Sequence, residues 1–146
     1  DVTFTDQEKS GLELFKNNCS SCHRAPLFTA TDFKNNGLSI DTTLNDYGRY
    51  GITKNPVDFL KFKVPTLRNI QFTAPYMHDG RFESLREVLD HYVNAVNHNK
   101  TTDNVIKDIK LSQNNKTDLL VFLKTLSDFE FLYDKRYSFP REKPKP

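Results

Sequence analysis

Cys19 and Cys22 are the only cysteines in this 146-residue chain, three positions apart, and His23 follows the second directly in "CSSCH". Three chemistries use a pair at this spacing. A structural zinc site takes four ligands, often from two such pairs, and there is no second cysteine pair. A thioredoxin-type redox pair belongs in a βαβ setting, whereas the flanking pattern here is helical. Covalent haem attachment uses what is present. Two intervening residues let both sulfurs reach the vinyl groups on one porphyrin edge, and the next residue brings an imidazole to the iron. The motif therefore assigns Cys19 and Cys22 to the thioether bonds of one haem c and His23 to the proximal iron position.

A haem changes what the rest of the chain has to provide. The hydrophobic fraction is 36%, with 12 Phe and no Trp, which is lean for a single domain closing its own core. A large apolar ligand supplies the missing surface. Residues 24–65 carry Gly37, Gly48, Gly51, Pro26, Pro56 and Pro65 with little periodicity, and a long irregular stretch of this kind is functional or wraps something. Helices are predicted on either side. Thr5 with Glu8 is a capping box opening a helix over 6–18, with Leu12 and Phe15 on one face. Ser84 with Glu87 opens a second over 85–97, striped by Leu85, Val88, Leu89, Tyr92 and Val93. Ser112 caps a third over 113–126, with Leu119, Leu120, Phe122, Leu123 and Leu126 inward. A short turn is expected at 66–70, and no strand pattern or repeat stands out. Gly11 would let the first and last helices cross closely, as the terminal helices of c-type cytochromes do.

The fold class read from this is mostly α, a class-I-like cytochrome c domain over 1–139 with long irregular loops wrapping one covalent haem. Residues 140–146 read as a disordered charged and proline-broken tail. A net charge of +2 with dispersed Lys and Arg gives no footprint for nucleic acid. No apolar run approaches the ~18 residues of a membrane span, and no signal-peptide pattern opens the chain. Because haem c is attached outside the cytoplasmic membrane, the expected location is periplasmic, with any leader removed.

From residue 8 onward the chain resembles the carboxy-terminal haem domain of bacterial di-haem cytochrome c peroxidases and the related methylamine-utilisation (MauG-like) enzymes. The resemblance is carried by "GLELFKNNCSSCHRAPLFT", "DYGRYGITKNPVDFLKFKVPTLRNIQFTAPYMHDGRFESLREVLDHY" and "DLLVFLKTL". It implies an electron-transfer haem that takes electrons from a small donor, a cytochrome c or cupredoxin, and passes them to a peroxidatic haem in a second domain or partner subunit. It also implies that the Thr73 and Pro75 carbonyls contribute to a calcium ion between the haems, completed from the other domain, and that His78 belongs to the inter-haem contact.

Two residues compete for the sixth iron position. Met77, the only methionine, suits a high-potential electron acceptor, although a lone Met also serves as core filler. The resemblance favours Tyr92 instead: the peroxidases' axial methionine falls at this position, and the methylamine branch places a tyrosine there. A phenolate would favour oxidised iron and lower the potential. Tyr92 packed on its helix stripe is the structural alternative. His91 and His98 are expected to face solvent, with either able to substitute as the iron ligand, Arg81 and Arg86 to be solvated or near haem propionates, and Asp79–Gly80 to form a turn. Two further functions remain open: an electron carrier without catalysis, alone or in a complex, and a MauG-like oxidase.

Overall fold

In the computed structural model, which describes residues 3–138, the first and last long helices cross at a glycine. Helix α1 (Asp6–Asn18) starts where the Thr5 hydroxyl accepts the Glu8 N–H at 3.2 Å and the Glu8 carboxylate returns to the Thr5 N–H at 2.6 Å. A methyl at Gly11 would lie 2.7 Å from the Phe122 Cβ and overlap the Asp118 carbonyl, so this contact excludes any side chain. Around it Phe15, Leu119, Phe122 and Leu123 are buried, with the Phe15 and Phe122 rings 5.2 Å apart and Phe28 5.5 Å from Phe15. Each such ring contributes about 1.5–3 kcal/mol by leaving water.

Among the described residues, four further α-helices, a ribbon and short 3₁₀ turns follow. The short α2 (Tyr50–Thr53) ends on a left-handed Lys54, α3 spans Leu85–Asn94, α4 spans Gln113–Lys124 and α5 spans Phe129–Tyr133. The Ser84–Glu87 box and the Ser112 cap form as expected, with Asn115 taking the reciprocal role for Ser112. A buried Lys116 ammonium reaches Asp90 at 2.5 Å and ties α4 to α3.

Several boundaries differ from the sequence reading. Helix α3 stops at Asn94, because the chain turns to dock on the 35–37 loop: the Asn97 N–H donates to the Gly37 carbonyl at 2.7 Å. Helix α4 stops at Lys124 and tightens into i→i+3 bonds at Thr125 and Leu126. The helical turn expected at 66–70 lies instead at Ile70–Phe72. A two-residue antiparallel ribbon, β1 (Phe33–Lys34) with β2 (Phe62–Lys63), pairs Phe33 with Lys63 and Lys34 with Phe62. Two residues are too few to display a period, so no sequence pattern announced it.

His91 corrects the reading more substantially. It does not face solvent but is 3% exposed on α3, donating to the Asn36 carbonyl. His98 is exposed, as expected. Apart from β1, α2, one 3₁₀ turn and β2, residues 24–65 are irregular, held locally by the Arg24–Thr29 bridge and the Asp41 carboxylate on the Thr43 N–H, and across the chain by the buried Asn35 amide on Thr101. The tail over 140–146 lies outside the described residues. Among the described residues no helix is long and apolar enough to cross a membrane.

Candidate haem site

The motif continues α1 as a tight turn. The Cys19 carbonyl accepts the N–H of Cys22 at 3.1 Å and of His23 at 2.9 Å, which gathers the two sulfurs and the imidazole on one side. The chain then doubles back between Arg24 and Thr29, and Phe28, at φ +51°, turns its carbonyl toward the imidazole. His23 Nδ1 lies 3.3 Å from that carbonyl and 3.1 Å from the Pro65 carbonyl. A carbonyl only accepts, so Nδ1 carries the proton and Nε2 keeps its lone pair for a metal. Thr29 and Thr66 stitch the two supporting segments, their hydroxyls donating to Val64 O at 2.7 Å and Leu27 O at 2.6 Å.

These elements border a cavity of about 400 Å³, within the range of cofactor sites. The residues assigned from the sequence or the resemblance to the haem, the iron, the calcium ion and the inter-haem contact all line it: Cys19, Cys22, His23, Thr73, Pro75, Met77, His78 and Tyr92. Leu89, Ile106, Leu119 and Leu123 supply apolar wall. A model of the di-haem cytochrome c peroxidase family matches residues 3–129.

The chain belongs to that family. It is 34% identical to cytochrome-c peroxidase IdrP1 of Pseudomonas sp. (strain SCT) over 92% of this chain and 44% of that protein. It is 36% identical to the methylamine utilization protein MauG of Methylorubrum extorquens over 81% of this chain and 34% of the relative. Among solved structures, a MauG-like protein associated with microbial copper homeostasis superposes with a TM-score of 0.80 at 32% identity, covering 94% of this chain and 48% of the other. The chain thus spans less than half the length of these relatives.

The family's cofactor is haem c, and the cavity fits one. Both cysteines are free thiols on its wall, and burial together with neighbouring Cys22 pushes Cys19 up to about 12. Burial also holds His23 below the ordinary imidazole value, although the Phe28 and Pro65 carbonyls pull the other way. The ring is thereby kept in the neutral form that a metal needs.

On α3, Tyr92 is enclosed by protein but keeps a half-buried surface where it faces the cavity. Burial pushes its phenol up to about 12, against the opposing influence of the Asn36 amide. Met77, at φ +73°, sits in a turn closed by the Tyr76–Phe82 bridge. His78 is exposed and stacks on Phe62 with ring centroids 3.8 Å apart. Arg81 does not enter the cavity lining; it forks onto Asp79 and reaches the Ser39 hydroxyl and carbonyl at 2.9 Å each, pinning the Asp79–Gly80 turn.

Sequence reading missed three participants. Asn36 drew no notice in the sequence, yet its amide donates to the Met77 sulfur at 3.3 Å on the cavity wall. The Lys34–Asp103 pair, 2.8 Å apart, stands on the cavity wall and joins positions far apart in sequence. The carbonyls that orient His23 belong to residues whose identity carries no sign of the role.

Proposed function

We propose that this chain binds one haem c and serves as the electron-transfer half of a cytochrome c peroxidase-type oxidoreductase, working outside the cytoplasmic membrane. The observation that carries this is the imidazole of His23, its Nδ1 held by two backbone carbonyls, standing with Cys19 and Cys22 on one apolar cavity. The bound haem supplies a one-electron redox centre.

The chain's own residues set its behaviour. Cys19 and Cys22 would hold the haem as thioethers, each thiol adding across a vinyl group with the sulfur on one carbon and the thiol hydrogen on the other. His23 Nδ1–H, held by carbonyls, keeps the imidazole plane fixed and makes Nε2 a better donor. Tyr92 would supply the second iron ligand through Oη, giving up its proton to do so, since burial otherwise keeps the phenol neutral. Held by His23 and Tyr92 together, the iron would offer peroxide no open site, and peroxide chemistry would belong to a second haem domain or partner subunit.

His78, exposed and stacked on Phe62, suits the contact with that second haem domain. The Thr73 and Pro75 carbonyls would contribute oxygen ligands to a calcium ion there, the remaining ligands coming from the other domain. The donor is a small cytochrome c or cupredoxin.

The test uses the chain matured with haem. Reduced protein should exchange electrons with a small cytochrome c in stopped-flow mixing while leaving hydrogen peroxide unconsumed. Peroxide turnover by the chain alone would overturn the relay reading and favour a MauG-like oxidase, a reading also supported by the presence of Tyr92 in the cavity and by the 32% identical MauG-like structure.

A further inference from the structure

Asn36 occupies an unusual position for a loop residue. It is half-buried on the cavity wall just after β1, and bonds fix it on three sides. Its carbonyl accepts from His91 Nε2 at 3.0 Å; because a carbonyl only accepts, that nitrogen carries the proton. Its Oδ1 accepts the Leu38 N–H at 3.2 Å, which settles the orientation of the amide. Its Nδ2 then points at Met77 Sδ, 3.3 Å away.

We infer that Asn36 is a positioning residue that selects the sixth iron ligand: its amide occupies the Met77 sulfur and leaves the Tyr92 oxygen to bind. The inference rests on Tyr92 being that ligand. An N–H aimed at a thioether lone pair competes with a metal for that pair, and the Asn36 amide makes that contact with Met77 at 3.3 Å.

The surroundings keep this arrangement in place. Met77 cannot swing freely, because its turn is closed by the Tyr76 N–H to Phe82 O bond at 2.7 Å and pinned through Arg81 to Ser39. Tyr92 follows His91 in α3, so the bond from His91 to Asn36 fixes the loop against the very turn of helix that carries the phenol. His91 is a buried histidine with no place in binding haem, and this anchoring gives it one.

The experiment is absorption spectroscopy and potentiometry on the haem-loaded chain. The wild type should lack the methionine-to-iron charge-transfer band. Asn36→Leu should gain that band and shift the midpoint potential upward, and Asn36→Leu combined with Met77→Leu should lose the band again. An Asn36→Leu spectrum identical to wild type would overturn the inference. Should Asn36→Leu fail to retain haem, Asn36→Asp decides the matter. It preserves the acceptor for the Leu38 N–H and removes the donor to the sulfur, so the band should appear, and its absence is equally fatal. Failure of the underlying reading looks different: the wild type itself would show the band, or Tyr92→Phe would leave the wild-type spectrum unchanged.

Discussion

The α1–α4 crossing and the cavity-lining loops are stabilised by different means. At the crossing, side chains close the gap between two capped helices, and Gly11, Phe15, Leu119 and Phe122 meet with no room to spare. In the segments over 24–37 and 64–82 the structure is held by bonds reaching across the chain to main-chain carbonyls, from Thr29, Thr66, His23 and His91. Three of the left-handed non-glycine residues, Phe28, Asn69 and Met77, lie in these segments and none in α1 or α4, and Met77 lines the cavity. Backbone held in sparsely populated conformations persists only where surroundings over-determine it. The helix pair is closed chiefly by side-chain packing, with Leu119 and Leu123 its only buried residues also turned to the cavity wall, whereas the loop half is organised around the cavity.

The strongest way to break that contrast is to withhold the haem. In the Cys19→Ala, Cys22→Ala double variant, hydrogen exchange should accelerate by orders of magnitude over 24–37 and 64–82 while α1 and α4 stay protected. Uniform loss of protection, or none, would erase the distinction. Within the scaffold, Phe122→Ala should cost about 3–5 kcal/mol in urea denaturation, since the ring is 2% exposed at the centre of the crossing. Gly11→Ala should cost about 1–3 kcal/mol by forcing the helices apart, although alanine is the better helix former.

The smallest effect belongs to the loop half. Burial alone would raise Asp103, but Lys34 and the Val105 N–H outweigh it and hold the carboxyl below its ordinary 3.8. The unfolded chain therefore takes up this proton first as pH falls. The stabilisation is complete well above 3.8 and disappears as pH drops through the folded value. Asp103→Asn should cost about 0.5–1 kcal/mol at pH 7, a partly exposed pair being weak, and the difference from wild type should vanish in acid.

What was legible in the sequence follows the same division. Helices α1, α3 and α4 could be read because a cap and an apolar stripe are both local, and Gly11 because a glycine facing another helix has few other uses. The residues gathered at the cavity were legible through the CSSCH spacing and the family resemblance. The β1–β2 ribbon was too short to show a pattern, and His91 looked solvent-facing because the carbonyl that buries it comes from Asn36, 55 positions earlier. Asn36 itself was hidden for the same reason: its role depends on Met77 and Tyr92, which a loop and a helix bring to it from elsewhere in the chain.

The whole account depends on a porphyrin joined to Cys19 and Cys22. Intact-mass spectrometry of the denatured chain, after expression in a host that matures c-type cytochromes, tests this directly. The account predicts a single species heavier than the polypeptide by one haem, retained through denaturation and absorbing at the Soret wavelength. A species with the bare polypeptide mass and no Soret absorption would contradict it.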